Sequence, residues 1–331
     1  MRKRAVVAVL CLVALVGAVA LSLAVGAKQI DLGTIWNSLA AYDPEDPLQR
    51  IVRESRWSRT LIGILAGSAL GVAGALMQSL TRNPFADPGL LGINAGASLA
   101  VVLGLTTGLA TGFATQVPLA FVGAGLAAVL VYAIGARGAA AGAPVRLALA
   151  GVALTALISS VTYAVLMVDD ATLDQYRLWV AGSLTGRQSE DVTALVPLVV
   201  IAIAAALVAS RQLEAVALGE DAARALGVRI GAIRTVIIVL VTLLAAAATA
   251  AAGPIVFVGL AVPHLARALV GASLPWLVVV SALGGAALVL VCDVIGRVIA
   301  PPGEIGVGIT TAFIGGLIFA LMSRRMKVVE L

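Results

Sequence analysis

Long apolar runs separated by short polar segments dominate the chain. Ten of them, near 5–27, 60–80, 90–108, 115–136, 147–168, 192–210, 233–252, 254–271, 275–299 and 305–323, lie between charges or Gly/Pro breaks. A helix needs about 20 apolar residues to cross a hydrocarbon core of roughly 30 Å. Most of the runs meet that length, and the third and eighth are short and interrupted by Gly and Pro. The first run follows Met1-Arg2-Lys3-Arg4, as a secretory signal would. A signal core is about 7–15 residues. The run from Ala5 to Ala27 is longer and further spans follow, so it reads as a retained first helix. The longest polar stretches are 28–59, 169–191 and 211–232, and none looks like a separate soluble domain. The pattern predicts an all-α polytopic membrane protein, with residues 1–331 forming one transmembrane domain.

Ten spans put both termini on one side, and charge gives the direction. With the N-terminus cytoplasmic, the inside segments hold 14 of the 22 basic residues but only 5 of the 17 acidic ones. Basic excess in cytoplasmic loops is the expected orientation signal. In that orientation 28–59 is an outer loop and 211–232 a cytoplasmic one. Composition agrees with a membrane setting: 61% of residues are hydrophobic and 12% charged, with mean hydropathy +1.09. A soluble domain carries about 25% charged residues. The pI of 9.7 therefore reports topology in the inner membrane and gives no reason to expect nucleic acid. Cys11 and Cys292 each sit inside an apolar run, as packing residues unsuited to a disulfide. With one histidine and no metal-ligand spacing, no metal or resident cofactor is expected.

Ion-coupled transporters need ionisable groups inside the bundle. Here the apparent spans carry only His264 with Arg267, and Asp293 with Arg297. The latter two are four apart on one helical face, set to neutralise each other near the outer end. An ion-coupled secondary transporter thus remains an alternative with little chemistry behind it. A more distant alternative is an intramembrane enzyme in which His264 pairs with Ser159, Ser160 or Ser281. The plainer reading is that His264, after Pro263 and before Arg267, bonds locally.

Three stretches carry more information. Residues 81–98 hold two prolines and three glycines and cannot be uninterrupted helix. A second break runs from Gly253-Pro254 to Gly259. Non-helical backbone at membrane depth is tolerated only where protein or a water-filled cavity satisfies it. One break lies inside and the other outside, which suits an inverted internal repeat. Residues 218–228 form a short amphipathic helix bounded by glycines. Ala222, Ala223, Leu226 and Val228 are placed to pack, while Glu220, Asp221 and Arg224 face water or a partner. A solvated connector and a docking helix both fit this pattern.

From about Arg56 onward the chain resembles the permease subunits of ABC importers for iron-siderophores, haem and vitamin B12. The motifs that carry the resemblance are Arg56-Trp57-Ser58-Arg59, Gly74 to Gln78, Arg82-Asn83-Pro84-Phe85 through Gly92, Val145 to Gly151, Leu218-Gly219-Glu220 with Leu226-Gly227, and Gly253 to Gly259 followed by Pro263-His264 and Arg267. Leu90 to Ser98 and Asp293 to Ile299 look most like ferric-enterobactin-type permeases. The resemblance implies ten helices per subunit in the type II importer fold and a partner permease, identical or paralogous. It also implies two cytoplasmic ATPase subunits that bind ATP and magnesium, and an extracytoplasmic substrate-binding protein. It assigns Leu218, Gly219, Glu220, Asp221, Ala223, Arg224, Leu226 and Gly227 to ATPase coupling. Arg56, Arg59 and Arg297 are assigned to docking of the binding protein, and Asn83, Pro84, Phe85, Pro144 and Val145 to a gate.

The sequence departs from the family pattern in four places. The usual Arg-Leu-Pro-Arg is Arg56-Trp57-Ser58-Arg59, and Glu-Leu-Pro-Val-Gly is Glu304-Ile305-Gly306-Val307-Gly308. Gly-Ala-Pro in the last span is Gly315-Gly316-Leu317, and Pro144-Val145 replaces the small hydroxyl residues of some relatives.

Overall fold

A computed structural model describes residues 2–135, 143–186, 192, 193, 195–217, 219–301 and 303–323. Among these the regular structure is entirely helical. In chain order the helices are α1 (Arg2–Ala24), α2 (Leu32–Ala40), α3 (Pro47–Arg50), α4 (Trp57–Thr81), α5 (Ile93–Thr106), α6 (Phe113–Gly135) and α7 (Ala143–Leu166). They continue as α8 (Asp170–Val180), α9 (Val196–Ala217), α10 (Glu220–Ala225), α11 (Ile230–Ala252), α12 (Val258–Val270), α13 (Leu274–Ile299) and α14 (Val307–Ser323). Seven helices are long and apolar enough to cross a membrane, and α5, α12 and α14 are shorter apolar ones. Together they reproduce the ten predicted runs.

Helix α4 is buried along most of its length, packed chiefly on α13 and α11. Lipid tails are as apolar as leucine, so close packing of small residues must hold such helices together. The spacing of Gly63, Gly67, Gly71 and Gly74 supplies the necessary stripe. A Cβ on Gly67 would stand 2.4 Å from the Gly285 carbonyl oxygen, and one on Gly71 2.1 Å from that of Ser281. On Gly74 it would stand 1.9 Å from the Gly259 carbonyl oxygen. Gly96 of α5 and Gly123 of α6 meet in the same way.

Both sequence breaks are non-helical. Helix α4 stops at Arg82 in the left-handed region (φ 52°), and a single 3-10 turn over Pro88–Leu91 precedes α5. Gly253 and Phe257, at φ 76° and 68°, divide α11 from α12. At 1.5 Å per residue α5 and α12 are about 20 Å long, too short to cross alone. Each long helix is thus followed by an irregular segment and a half-length helix. Asp87 accepts from the Gly89 amide at 2.8 Å, and Thr249 of α11 donates to Asn94 of α5 at 3.0 Å, satisfying polar groups at these breaks.

The polar stretch 28–59 is not a loop. Its second half is helix: α3 continues through a π-helical turn, Ile51–Arg56, directly into α4. Arg50, Arg53, Arg56 and Arg59 therefore stand on helical turns. Two more helices emerge from polar sequence, α2 and α8, capped by Asp31 and Asp169. Thr34 and Thr172 donate to these carboxylates and hold both below their ordinary range.

Candidate functional site

One end of the bundle gathers the N-terminus and the ends of α4, α9 and α12. Arg4 donates to the Val270 carbonyl (3.0 Å), Arg82 to that of Val216 (2.7 Å), and Arg267 to Ser79 Oγ (3.3 Å). Helix α10 lies at this end, between Gly219 and Gly227, both at positive φ (125° and 77°). No atom lies within 4 Å of a Cβ at either glycine, so a side chain there meets backbone strain and no clash. Ala223 is fully buried, whereas Asp221 and Arg224 pair with each other at 2.9 Å on the outside. Leu226, expected to pack, is 68% exposed. It borders an open hollow against α9 and α11 instead of filling it. Leu218 lies outside the described residues.

Beside α10 the first break turns at Asn83, whose side-chain oxygen accepts from the Phe85 amide at 2.9 Å. The Phe85 ring meets Phe319 of α14 edge-on with centroids 5.7 Å apart, and Phe319 lies 6.5 Å from Phe257 of the second break. Helix α14 thus touches both breaks. Gly315 makes room for this, since a Cβ there would stand 2.4 Å from the Phe257 Cβ. Here the sequence departs from the Gly-Ala-Pro pattern. Pro144 and Val145 fall in the first turn of α7.

The opposite end holds a buried ionic cluster. Asp293 accepts from Arg59 through Nε at 2.9 and 3.1 Å and through Nη2 at 2.8 Å, and pairs with Arg297 at 3.0 Å. Glu304 adds a 2.7 Å contact to Arg59. Arg297 donates to the Ser22 and Val25 carbonyls at 3.0 and 2.9 Å, and Arg56 to those of Leu23 and Lys28. Ser22 and Leu23 lie in the last turn of α1, where no intrahelical partner remains, and Val25 and Lys28 follow it. Arg56, Arg59 and Arg297 are only 6%, 7% and 5% exposed. The three arginines expected to meet a partner's carboxylates are thus turned inward, onto carboxylates and carbonyls of this chain. Nearby, Arg50 contacts Glu54 at 3.6 Å and Arg53 lies over the Tyr42 ring. A cavity of about 490 Å³ borders the cluster, lined by Arg59, Gln116, Gln175, Trp179, Asp293 and Glu304 among others. Glu304, with 39% of its side chain exposed, is where the cluster reaches the surface.

Nothing at His264 resembles a nucleophile–base pair. It is half-buried on α12, and among the described residues no hydrogen bond joins it to Ser159, Ser160 or Ser281. No group of three His, Cys, Asp or Glu among those residues is placed to hold a metal.

Residues 12–325 match the FecCD transport family. The chain is 44% identical over 314 residues to the ferric enterobactin transport system permease protein FepD of Escherichia coli K12, covering 95% of this chain and 93% of that protein. It is 38% identical to the Fe(3+)-citrate import system permease protein YfmD of Bacillus subtilis, covering 98% and 96%. To the hemin transport system permease protein HmuU of Yersinia pestis it is 33% identical, covering 91% and 90%. A solved inward-facing metal-chelate type ABC transporter superposes with TM-score 0.85 at 25% identity, covering 96% of this chain and 99% of that one.

Proposed function

The chain belongs to the FecCD transport family and is a multi-pass permease subunit of an ABC importer; from that premise we propose that its cargo is an iron–siderophore complex. The observation that carries this reading is the 44% identity, across almost the whole chain, to a ferric enterobactin permease. Haem is the nearest competing cargo, given the weaker likeness to a hemin permease, and cobalamin is more distant.

In the working assembly two permease subunits enclose the path and two ATPase subunits bind ATP and magnesium. A binding protein delivers cargo to the end that carries the ionic cluster. The end with Arg4, Arg82, Arg267 and α10 is cytoplasmic, as the positive-inside rule requires. Helix α10 is the coupling element: it lies between two glycine corners and presents Leu226, Asp221 and Arg224 outward. The Asn83–Phe85 turn, touching α14 through Phe319, belongs to the gate together with Pro144 and Val145. Docking through Arg56, Arg59 and Arg297 is not part of this proposal, because all three are buried against groups of this chain.

Two measurements test the reading. Proteoliposomes should accumulate radioiron as ferric siderophore only when ATPase subunits, binding protein and ATP are all supplied. Accumulation by this chain alone under an ion gradient would instead establish an ion-coupled transporter. Separately, Gly227→Val forces a branched side chain into the left-handed region. It should reduce ATP-driven uptake at least about tenfold while leaving the amount of inserted protein unchanged. Uptake at the wild-type rate would make α10 a mere connector.

A further inference from the structure

At the end that carries α10, a cavity of about 380 Å³ opens between the ends of α4, α9 and α12 and the start of α13. Its wall includes Gln78, Ser79, Arg82, Glu214, Arg267 and Leu274. Arg82 spends one donor on the Val216 carbonyl and Arg267 one on Ser79 Oγ, out of five N–H groups on each guanidinium. Among the described residues neither arginine has an ion-pair partner, and nor does Glu214 on the same wall.

Gln78 is 2% exposed. Its amide nitrogen donates to the carbonyls of Gly259 and Leu260 at 3.4 and 3.1 Å. This fixes the orientation of the amide, since a flip would set oxygen against two oxygens. Its Oε1 finds no hydrogen-bond partner, a costly condition for a buried acceptor. The wall therefore offers two uncommitted cations together with an uncommitted carboxylate and an unpaired amide oxygen. A simple anion would satisfy the first pair and repel the second.

We propose that this cavity binds the headgroup of a zwitterionic phospholipid of the phosphoethanolamine type. The phosphodiester lies on Arg82 and Arg267, and the ammonium is taken by Glu214 and Gln78 Oε1. Basic pockets between membrane helices at the bilayer surface recognise headgroups in this way. Leu213, Ala272 and Leu274 complete the wall with apolar groups. The inference stands on the membrane location of the chain and is independent of its cargo.

Native mass spectrometry of the full chain, delipidated in detergent and titrated with phosphatidylethanolamine, phosphatidylglycerol or inorganic phosphate, tests it. One phosphatidylethanolamine should be retained in preference to the other two. Arg82→Gln and Arg267→Gln should weaken both lipids by about tenfold. Glu214→Gln should weaken phosphatidylethanolamine alone and bring it level with phosphatidylglycerol. Arg267→Lys should retain binding and shows that loss in the glutamine variants is not misfolding. Equal retention in all variants, or inorganic phosphate bound as tightly as lipid, overturns the proposal. So does unchanged lipid retention with loss of ATPase-subunit binding, which would assign the arginines to the protein partner.

Discussion

Asp293→Ala should lower the stability of the protein by about 3–5 kcal/mol, the usual cost of stripping one partner from a buried ion pair. The aspartate, 1% exposed, holds both Arg59 and Arg297, so its removal leaves Arg59 with Glu304, and Arg297 with the Ser22 hydroxyl and backbone carbonyls. Asp293→Asn keeps an acceptor in place and should cost less. Because the pairs are buried, added salt should rescue little of the loss. That separates this effect from weakened docking of a binding protein, whose rim charges are screened. Unfolding midpoints in detergent at low and high salt make the measurement, and an unshifted midpoint in Asp293→Ala would show the cluster to be dispensable. By the same logic Arg59→Glu reports on folding before it reports on any partner.

A valine at Gly74 should leave no folded protein to purify. The new Cβ would lie 1.9 Å from a backbone oxygen of α12, and backbone cannot rotate aside as a side chain can. Helices α4 and α12 would have to separate, costing more than the 1–3 kcal/mol typical of overpacked cores. They would also forfeit the Gln78 bonds to Gly259 and Leu260. Gly125→Ala in α6 is the matched control, with nothing within 4 Å of its new Cβ. It should gain up to about 1 kcal/mol from helix propensity. Size-exclusion profiles of the two variants decide the matter: a monodisperse Gly74→Val protein would mean that the helices are not held by close backbone contact.

The spans were legible because hydropathy over twenty residues is a strong signal in a lipid solvent. The breaks at Pro84–Gly92 and Gly253–Phe257 were equally plain, since Pro and Gly act on the backbone locally. The Asp293–Arg297 pair could be read from its i,i+4 spacing. Its third member could not, because Arg59 lies 234 residues away and a run of arginines looks the same whether solvated or buried. Helices α2 and α8 escaped notice for a different reason. Each is short, nine and eleven residues, and cannot produce the twenty-residue apolar signal that marks a span. Gly315-Gly316 looked like a departure from pattern and became intelligible only once Phe257 was seen against it.

The capping of α1 by Arg56 and Arg297 has a consequence for how the chain is made. Arg297 contacts Ser22 across 275 residues. At synthesis rates of 5–20 residues per second, roughly 15–55 s separate the emergence of these two partners from the ribosome. Throughout that interval Arg56 alone can cap the far end of the first helix, and the Ser22 and Val25 carbonyls stay open to headgroups and water. The helix settles against the rest only when the ninth span arrives, so chains that stop before Arg297 present an undocked N-terminal helix to membrane quality control.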